Sequence, residues 1–405
     1  MKQLTRLFIP ICLETLFYML SGMVDTLMLS AVGDYAVGAV GTANSYIGIF
    51  IIMFSIISSG MVSVMTQNIG AGRPGVAYQA RQLGLLFNAV AGVLMAVFLF
   101  SGAGAILRMV GIADALYEPA LIYLKIVGGG CILNAVIPIF SSYLRAFGYT
   151  KQPLYATIVG NIANFVMNAV FLFVLHKGVA GVAAATVISK ILNLCIVLYF
   201  SHKLISAKNS TERIANKTVL GQIVKVGLPS ACETALYNVA MMLVIRFLNQ
   251  MDAEGLNVTA RSYTATISNF SYCVGAALAQ ANAIMTGWHI GAGELEECDR
   301  GTKRAAFVGV CVAVCMETAI VLGSGFIMPL FTDNPEMTAL VRKLLAIDIV
   351  LEIGRVTNLV FGQALKTSGD AVFPAVIAAV FMFVFAVGGT WLFGISMGLM
   401  AVGAY

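Results

Sequence analysis

The chain has 405 residues, of which 60% are hydrophobic and only 11% charged, with a formal net charge of +5 and a mean hydropathy of +0.91. An ordinary soluble domain carries about 25% charged residues, so this composition excludes a soluble enzyme, a disulfide-framed secreted domain and a disordered chain. What remains is an all-α polytopic membrane protein.

A membrane span needs about 20 predominantly apolar residues. In chain order, runs of that kind fall near 7–29, 37–66, 84–107, 120–143, 154–175, 180–202, 223–250, 257–287, 305–330, 339–364 and 373–394, and a last one begins at 398. The second and eighth are long enough to imply tilt or a bend. The segment Ser201 to Lys225 is the polar linker of the chain, with Lys203, Lys208, Arg213, Lys217 and Lys225. The eight cysteines include no CxxC pair, and most lie inside apolar runs where small polarizable side chains pack.

The two sides of the linker resemble each other. Pro10 with Glu14 returns as Pro229 with Glu233, an offset of 219. Gly70-Ala71-Gly72 returns as Gly291-Ala292-Gly293, and Leu144, Gly148 and Pro153 return as Leu365, Gly369 and Pro374, both at 221. Three anchors in one order at nearly one spacing indicate a duplication. The expected layout is a six-helix N-terminal lobe over 1–203, a cytoplasmic linker over 204–222 and a C-terminal lobe over 223–405. An even number of spans per repeat relates the lobes by a pseudo-two-fold along the membrane normal. The second lobe has five full helices and a fragment, so its twelfth helix is incomplete and is read as truncated.

Basic residues in short loops set orientation. They concentrate in the segments that share a side with the N-terminus, among them Lys2, Arg6, Arg73, Lys151, Lys208 and Arg300, whereas the other side carries chiefly Arg108, Lys177, Arg342 and Lys343. The N-terminus is expected in the cytoplasm. Acids such as Asp252, Glu254, Asp333 and Glu336 fall outside and count little in this rule.

Ionisable residues within spans are expensive and mark ion or substrate paths. The candidates are Glu14, Asp25, Glu233, Glu317, Asp348, Glu352 and Arg355. Asp25 stands deep in the first run with no basic neighbour in sequence, where it either exchanges a proton or sodium for a cation or snorkels to water. Asn161, Asn164 and Asn168 lie on the fifth run, with 164 and 168 on one helix face. Their amide oxygens suit sodium or serve as interhelical glue, and Thr186 on the next run offers a hydroxyl. On the tenth run Glu352 and Arg355 are spaced to pair, which leaves Asp348, without an obvious partner, as the second-lobe candidate for substrate or proton together with Glu352 and Glu233. Glu14, one turn after Pro10, suits an inner gate. Glu317 fits no pattern.

These features resemble the multidrug and toxic compound extrusion (MATE) family. The resemblance covers the whole chain and rests on Pro10 with Glu14, Val24-Asp25-Thr26-Leu27-Met28, the stretch from Gly33 through Gly38-Ala39-Val40-Gly41, Gln67-Asn68-Ile69-Gly70-Ala71-Gly72 and Leu144-Arg145-Ala146-Phe147-Gly148 before Pro153, echoed by His289-Ile290-Gly291-Ala292-Gly293 and Leu365-Lys366-Thr367-Ser368-Gly369-Asp370. It implies a two-lobed antiporter that exports small cationic and amphipathic compounds on sodium or proton entry, with no other cofactor and no nucleic-acid partner. Such a protein would work as a monomer in the lipid bilayer. By the same resemblance Asp25 matches the first-helix aspartate implicated in coupling, and Asn164, Asn168 and Thr186 match a proposed first-lobe cation site. Many members carry Asp where this chain has Asn168, so the match leaves Asp25 as that site's carboxylate. The alternative is a flippase for lipid-linked oligosaccharide or peptidoglycan precursors, whose anionic substrates would call for Arg and Lys such as Arg246, Arg261 and Arg355. A membrane enzyme is excluded by the absence of GxSxG, HExxH and GxGD-type motifs.

Overall fold

The computed structural model describes residues 2–109, 111–205, 212–251, 256–332 and 334–404; Lys208, Asp252, Glu254 and Asp333 lie outside the described residues. Helix dominates and no strand occurs among the described residues. Contacts divide the chain into two units, Met1–Leu228 and Pro229–Tyr405.

The first unit holds α1 (Lys2–Ser30), α2 (Asp34–Gly70), α3 (Pro74–Met109), α4 (Asp114–Gly129), α5 (Cys131–Ala146), α6 (Lys151–Ala169) with a π turn at Val170–Val174, and α7 (Gly178–Leu204). The helix α8 (Asn216–Met251) starts in this unit and runs on into the second. The second unit continues with α9 (Leu256–Ala292), α10 (Leu295–Ile327), α11 (Pro335–Ser368), α12 (Val372–Phe381) with π segments Met382–Val387 and Thr390–Ser396, and α13 (Met400–Ala404). Most helices begin several residues before the apolar runs, because their polar flanks are helical too. The run at 120–143 is two helices, α4 and α5, bent by 41°. The break sits in Gly128-Gly129-Gly130, where glycine weakens the helix and lets the backbone approach its neighbours. A Cβ on Gly128 would come within 3.0 Å of Leu99, and one on Gly130 within 3.2 Å of Val187.

Among the described residues, eight helices are long and apolar enough to cross a membrane, and the bent pair, taken as one span, makes a ninth. The long helices α9 and α11 are more polar, because they carry buried side chains such as Asn257, Thr264, Ser268, Asp348 and Glu352. They pack against each other and against α10, so that polarity is turned inward. Lipid-facing positions show the opposite pattern. On α3, Leu94, Val97 and Phe98 point outward while Asn88, Leu99 and Ala103 are buried.

The repeated glycines have a shared physical reason. Gly72 and Gly293 follow α2 and α9 with φ of 73° and 80°, and Gly148 and Gly369 follow α5 and α11 with φ of 83° and 99°. This left-handed conformation closes a helix and suits glycine, which has no Cβ. The start of α8 is bound to the first unit by backbone contact with α2. A Cβ on Gly60 would lie 1.9 Å from the Ile223 carbonyl oxygen, and one on Gly227 would lie 1.8 Å from that of Ile56. Gln79 on α3 fixes the approach to α8, since its amide donates to the Ile214 carbonyl at 2.7 Å and accepts from the Ile214 N–H at 3.2 Å.

Candidate functional site: two buried polar clusters

In the first unit α1 and α6 lie side by side, and this brings Asp25 to the asparagines. Asn168 Nδ2 donates to Asp25 Oδ1 at 2.8 Å and to Asn164 Oδ1 at 3.1 Å. Asn168 is fully buried, and its Oδ1 has no hydrogen-bond partner. A buried acceptor left open in this way costs free energy unless something donates or binds to it. Asn161 does not join the cluster; its amide donates to the Phe17 carbonyl at 2.9 Å and ties α6 to α1. Thr186 gives its hydroxyl proton to the Val182 carbonyl at 2.9 Å. Its link to the cluster is electrostatic, through the buried Tyr123 hydroxyl, on which Asn44, Asp25 and Thr186 all act.

One member of this cluster escaped the sequence reading. Lys190 lies on α7 one turn beyond Thr186, in the middle of an apolar run. Its Nζ donates to Asn134 Oδ1 at 2.8 Å, and its charge and that of Asp25 act on each other. The criterion that found Asp25, a charge inside a span, also applies to Lys190. Asp25 therefore has a basic neighbour in space although it has none in sequence.

The second unit gathers Glu317 from α10 with Asp348, Glu352 and Arg355 from α11. The three carboxyl groups are each 0% exposed, and one oxygen from each lies within 4.8 Å of the others. Arg355 pairs with Asp348 at 3.1 Å and also with Glu352. Asp348 thus has a partner, contrary to its reading from sequence, and Glu317, given no role there, completes the cluster. Both oxygens of Glu317, Asp348 Oδ2 and Glu352 Oε2 are buried without hydrogen-bond partners, as are the hydroxyls of Ser268 and Ser271 on α9. Three carboxyl groups face one guanidinium. Such a set calls for a further proton or cation, since unmatched buried charge is strongly disfavoured.

Glu14 and Glu233 belong to neither cluster. Glu14 pairs with Arg145 of α5 at 2.6 Å and accepts from Thr157 at 3.5 Å, while Glu233 pairs with Lys366 of α11 at 2.8 Å. Glu233 repeats Glu14 at an offset of 219, and Lys366 repeats Arg145 at 221. The duplication has kept an ion pair at one place in each unit.

Comparison with known proteins fits this organisation. The MatE family model matches residues 10–170 and again 229–401. A Bacillus subtilis (strain 168) protein described as the uncharacterized transporter YisQ is 32% identical over 402 residues, covering 98% of this chain and 88% of that protein. Among solved structures, a MATE protein in a bent conformation superposes with a TM-score of 0.86 at 20% identity, over all of this chain and 90% of that one. A MOP superfamily transporter from Pyrococcus furiosus, described by the reverse polarity of its binding pocket, gives 0.84 at 19%, over all of this chain and 91% of that one. The chain belongs to the MatE family and is a multi-pass membrane transporter, not an enzyme.

Proposed function

We propose that the protein is a cation-coupled antiporter of the cell membrane that exports cationic and amphipathic organic compounds by alternating access, as a monomer with its N-terminus in the cytoplasm. Sodium or protons supply the drive, and no other cofactor is needed. The observation that carries this reading is Asp25 held by Asn168 in a polar recess, beside an amide oxygen with no partner. A carboxylate in such a place binds one cation or proton at a time, which is the elementary requirement for exchange. Asn164, Asn168 and Thr186 supply neutral oxygens around it. In the second unit Asp348 and Glu352, with Glu317, take a proton or the cationic substrate. Glu14 and Glu233 hold helices together. The test is ethidium efflux from cells making Asp25→Asn at wild-type membrane levels. Efflux is expected to vanish, and unchanged efflux would remove Asp25 from the mechanism.

Flipping of an anionic lipid-linked precursor is the second reading. Lys190 and Arg355 favour it, as does likeness to a structure described by a pocket of reverse polarity. It is the weaker one because Arg355 faces three carboxyl groups and the Lys190 ammonium is held by Asn134 in the unit that carries Asp25. Precursor translocation in vesicles, with ethidium export absent, would reverse this order.

A further inference from the structure

The foot of α3 holds a cation that no carboxylate answers among the described residues. Arg81 lies two turns into α3, just before the apolar run that begins at 84. With α1 and α2 each crossing once, this is the membrane face of the N-terminus. Arg81 is only 7% exposed. Its guanidinium packs against three rings, with Cζ 4.4 Å from the centre of Tyr78, 5.0 Å from that of Tyr143 and 5.5 Å from that of Phe140. Such contacts draw on the negative faces of the rings, but they accept none of the five N–H donors, which lie in the guanidinium plane. Its Nε is sealed in without a hydrogen-bond partner, and Arg81 makes no hydrogen bond or ion pair among the described residues. Beside it the hydroxyl of Tyr143, a side chain 1% exposed, is also buried without a partner. Arg145 and Arg355 are less buried, and each has a carboxylate.

A buried cation with open N–H donors, packed on a ring whose hydroxyl is also open, is a receptor for an anion. We propose that Arg81 and Tyr143 form a binding site for the phosphate of an anionic phospholipid at the foot of α3 and α5. The guanidinium donates two parallel N–H bonds to the phosphate oxygens, and the Tyr143 hydroxyl donates to one of them. A phosphodiester carries a single negative charge, the match for a single guanidinium. The position selects a lipid rather than a free anion. From Arg81 the outer side of α3 continues into the bilayer as Leu86, Phe87 and Val90, which are 59%, 43% and 52% exposed, so an acyl chain has an apolar surface to follow. Arg73, exposed just before α3, adds to the attraction of a negative headgroup, as basic residues at a membrane surface do. A zwitterionic headgroup brings its own cation into this field and is held less well. Because α3 and α5 pack together and each supplies a donor, the bound phosphate clamps one to the other.

The site does not depend on what the protein exports. The test uses the purified full-length protein in detergent, with phosphatidylglycerol, phosphatidylcholine or inorganic phosphate added. Lipid affinity is titrated by native mass spectrometry, and stability is followed by size-exclusion chromatography after graded heating. Wild type is expected to bind phosphatidylglycerol at least tenfold more tightly than phosphatidylcholine, and to gain thermal stability from it but none from inorganic phosphate. Arg81→Met is expected to lose at least tenfold in phosphatidylglycerol affinity. Its stability without lipid should equal or exceed that of wild type, because the unanswered buried cation is gone. An arginine that served only packing would give the opposite pair of results, unchanged lipid affinity and lower stability. Tyr143→Phe is expected to lose several-fold in affinity. Equal phosphatidylglycerol affinity in wild type and Arg81→Met overturns the proposal, and Tyr143→Phe decides in the same way should Arg81→Met fail to fold. Equal stabilisation by phosphatidylcholine overturns it too. Stabilisation by inorganic phosphate to the same extent would give the site to a free anion and overturn the lipid.

Discussion

Replacing Glu14 by Gln tests whether the repeated ion pair is a structural strut. The Glu14 and Arg145 side chains are 12% and 17% exposed and meet at 2.6 Å across α1 and α5. Breaking a fully buried pair costs about 3–5 kcal/mol, whereas an exposed pair contributes about 0.2–1 kcal/mol. The slight exposure here places the loss at roughly 2–3 kcal/mol, because the Arg145 guanidinium would lose its carboxylate in a largely dry site. For a unit of this size each kcal/mol moves Tm by about 2–4 °C, so Glu14→Gln should lower Tm by about 4–12 °C. The assay is size-exclusion chromatography of the detergent-solubilised protein after graded heating. Arg145→Gln should lower Tm similarly, and the double variant by much less than the sum, since the two losses are one loss counted twice. Glu233→Gln and Lys366→Gln should repeat the pattern. Strict additivity, or a Glu14→Gln shift under 1 °C, would refute the strut. Normal stability with altered transport would instead favour the inner gate suggested by the sequence.

Gly60→Leu should abolish the folded protein on the same chromatogram, because its Cβ would strike the Ile223 carbonyl at 1.9 Å, while Gly48→Ala on the same helix, with nothing within 4 Å, should be harmless. Glu317→Leu removes a buried carboxyl group with no partner on either oxygen, so Tm should stay or rise while ethidium efflux falls at least tenfold. Asn168→Asp would set a second carboxyl group against Asp25, where the present contact is 2.8 Å. Two carboxylates that close do not both ionise unaided, so sodium should stabilise the variant against heat more than it stabilises wild type.

What the sequence made legible was local or repeated. Runs of apolar residues located the spans, and the paired glycines located helix ends because the left-handed backbone is nearly reserved for glycine. The i, i+4 spacing put Asn164 and Asn168 on one face, and the structure brings Asp25 to that face. Contacts between distant segments were not legible. Glu14 and Arg145 are 131 residues apart, and nothing in either neighbourhood names the other. Asp348 looked unpaired because its partner lies seven residues on, two turns along the helix and beyond the usual pairing interval. Glu317 gains meaning only when α10 lies against α11. Lys190 is different, since a cation in the middle of an apolar run is visible in the sequence itself.

The duplication separates what the fold requires from what the chemistry requires. The glycine helix ends, the Glu–Arg and Glu–Lys pairs and the π segments after α6 and within the last long span recur at matching places in the two units. The buried clusters do not recur. At an offset of 219 Asp25 corresponds to Val244, and at 221 Asn164 and Asn168 correspond to Phe385 and Gly389. In the other direction Glu317, Asp348 and Glu352 correspond to Ala96, Val127 and Cys131. Each unit has thus placed carboxyl groups where its copy is apolar or small, which a packing role shared by both copies would not do. Arg355 corresponds at 221 to Asn134, the side chain that holds the Lys190 ammonium. One position therefore serves a cation in both units, directly in the second and through a hydrogen bond in the first. Buried polar clusters are thus built twice, from different residues on one scaffold, and each stands where the other copy has none.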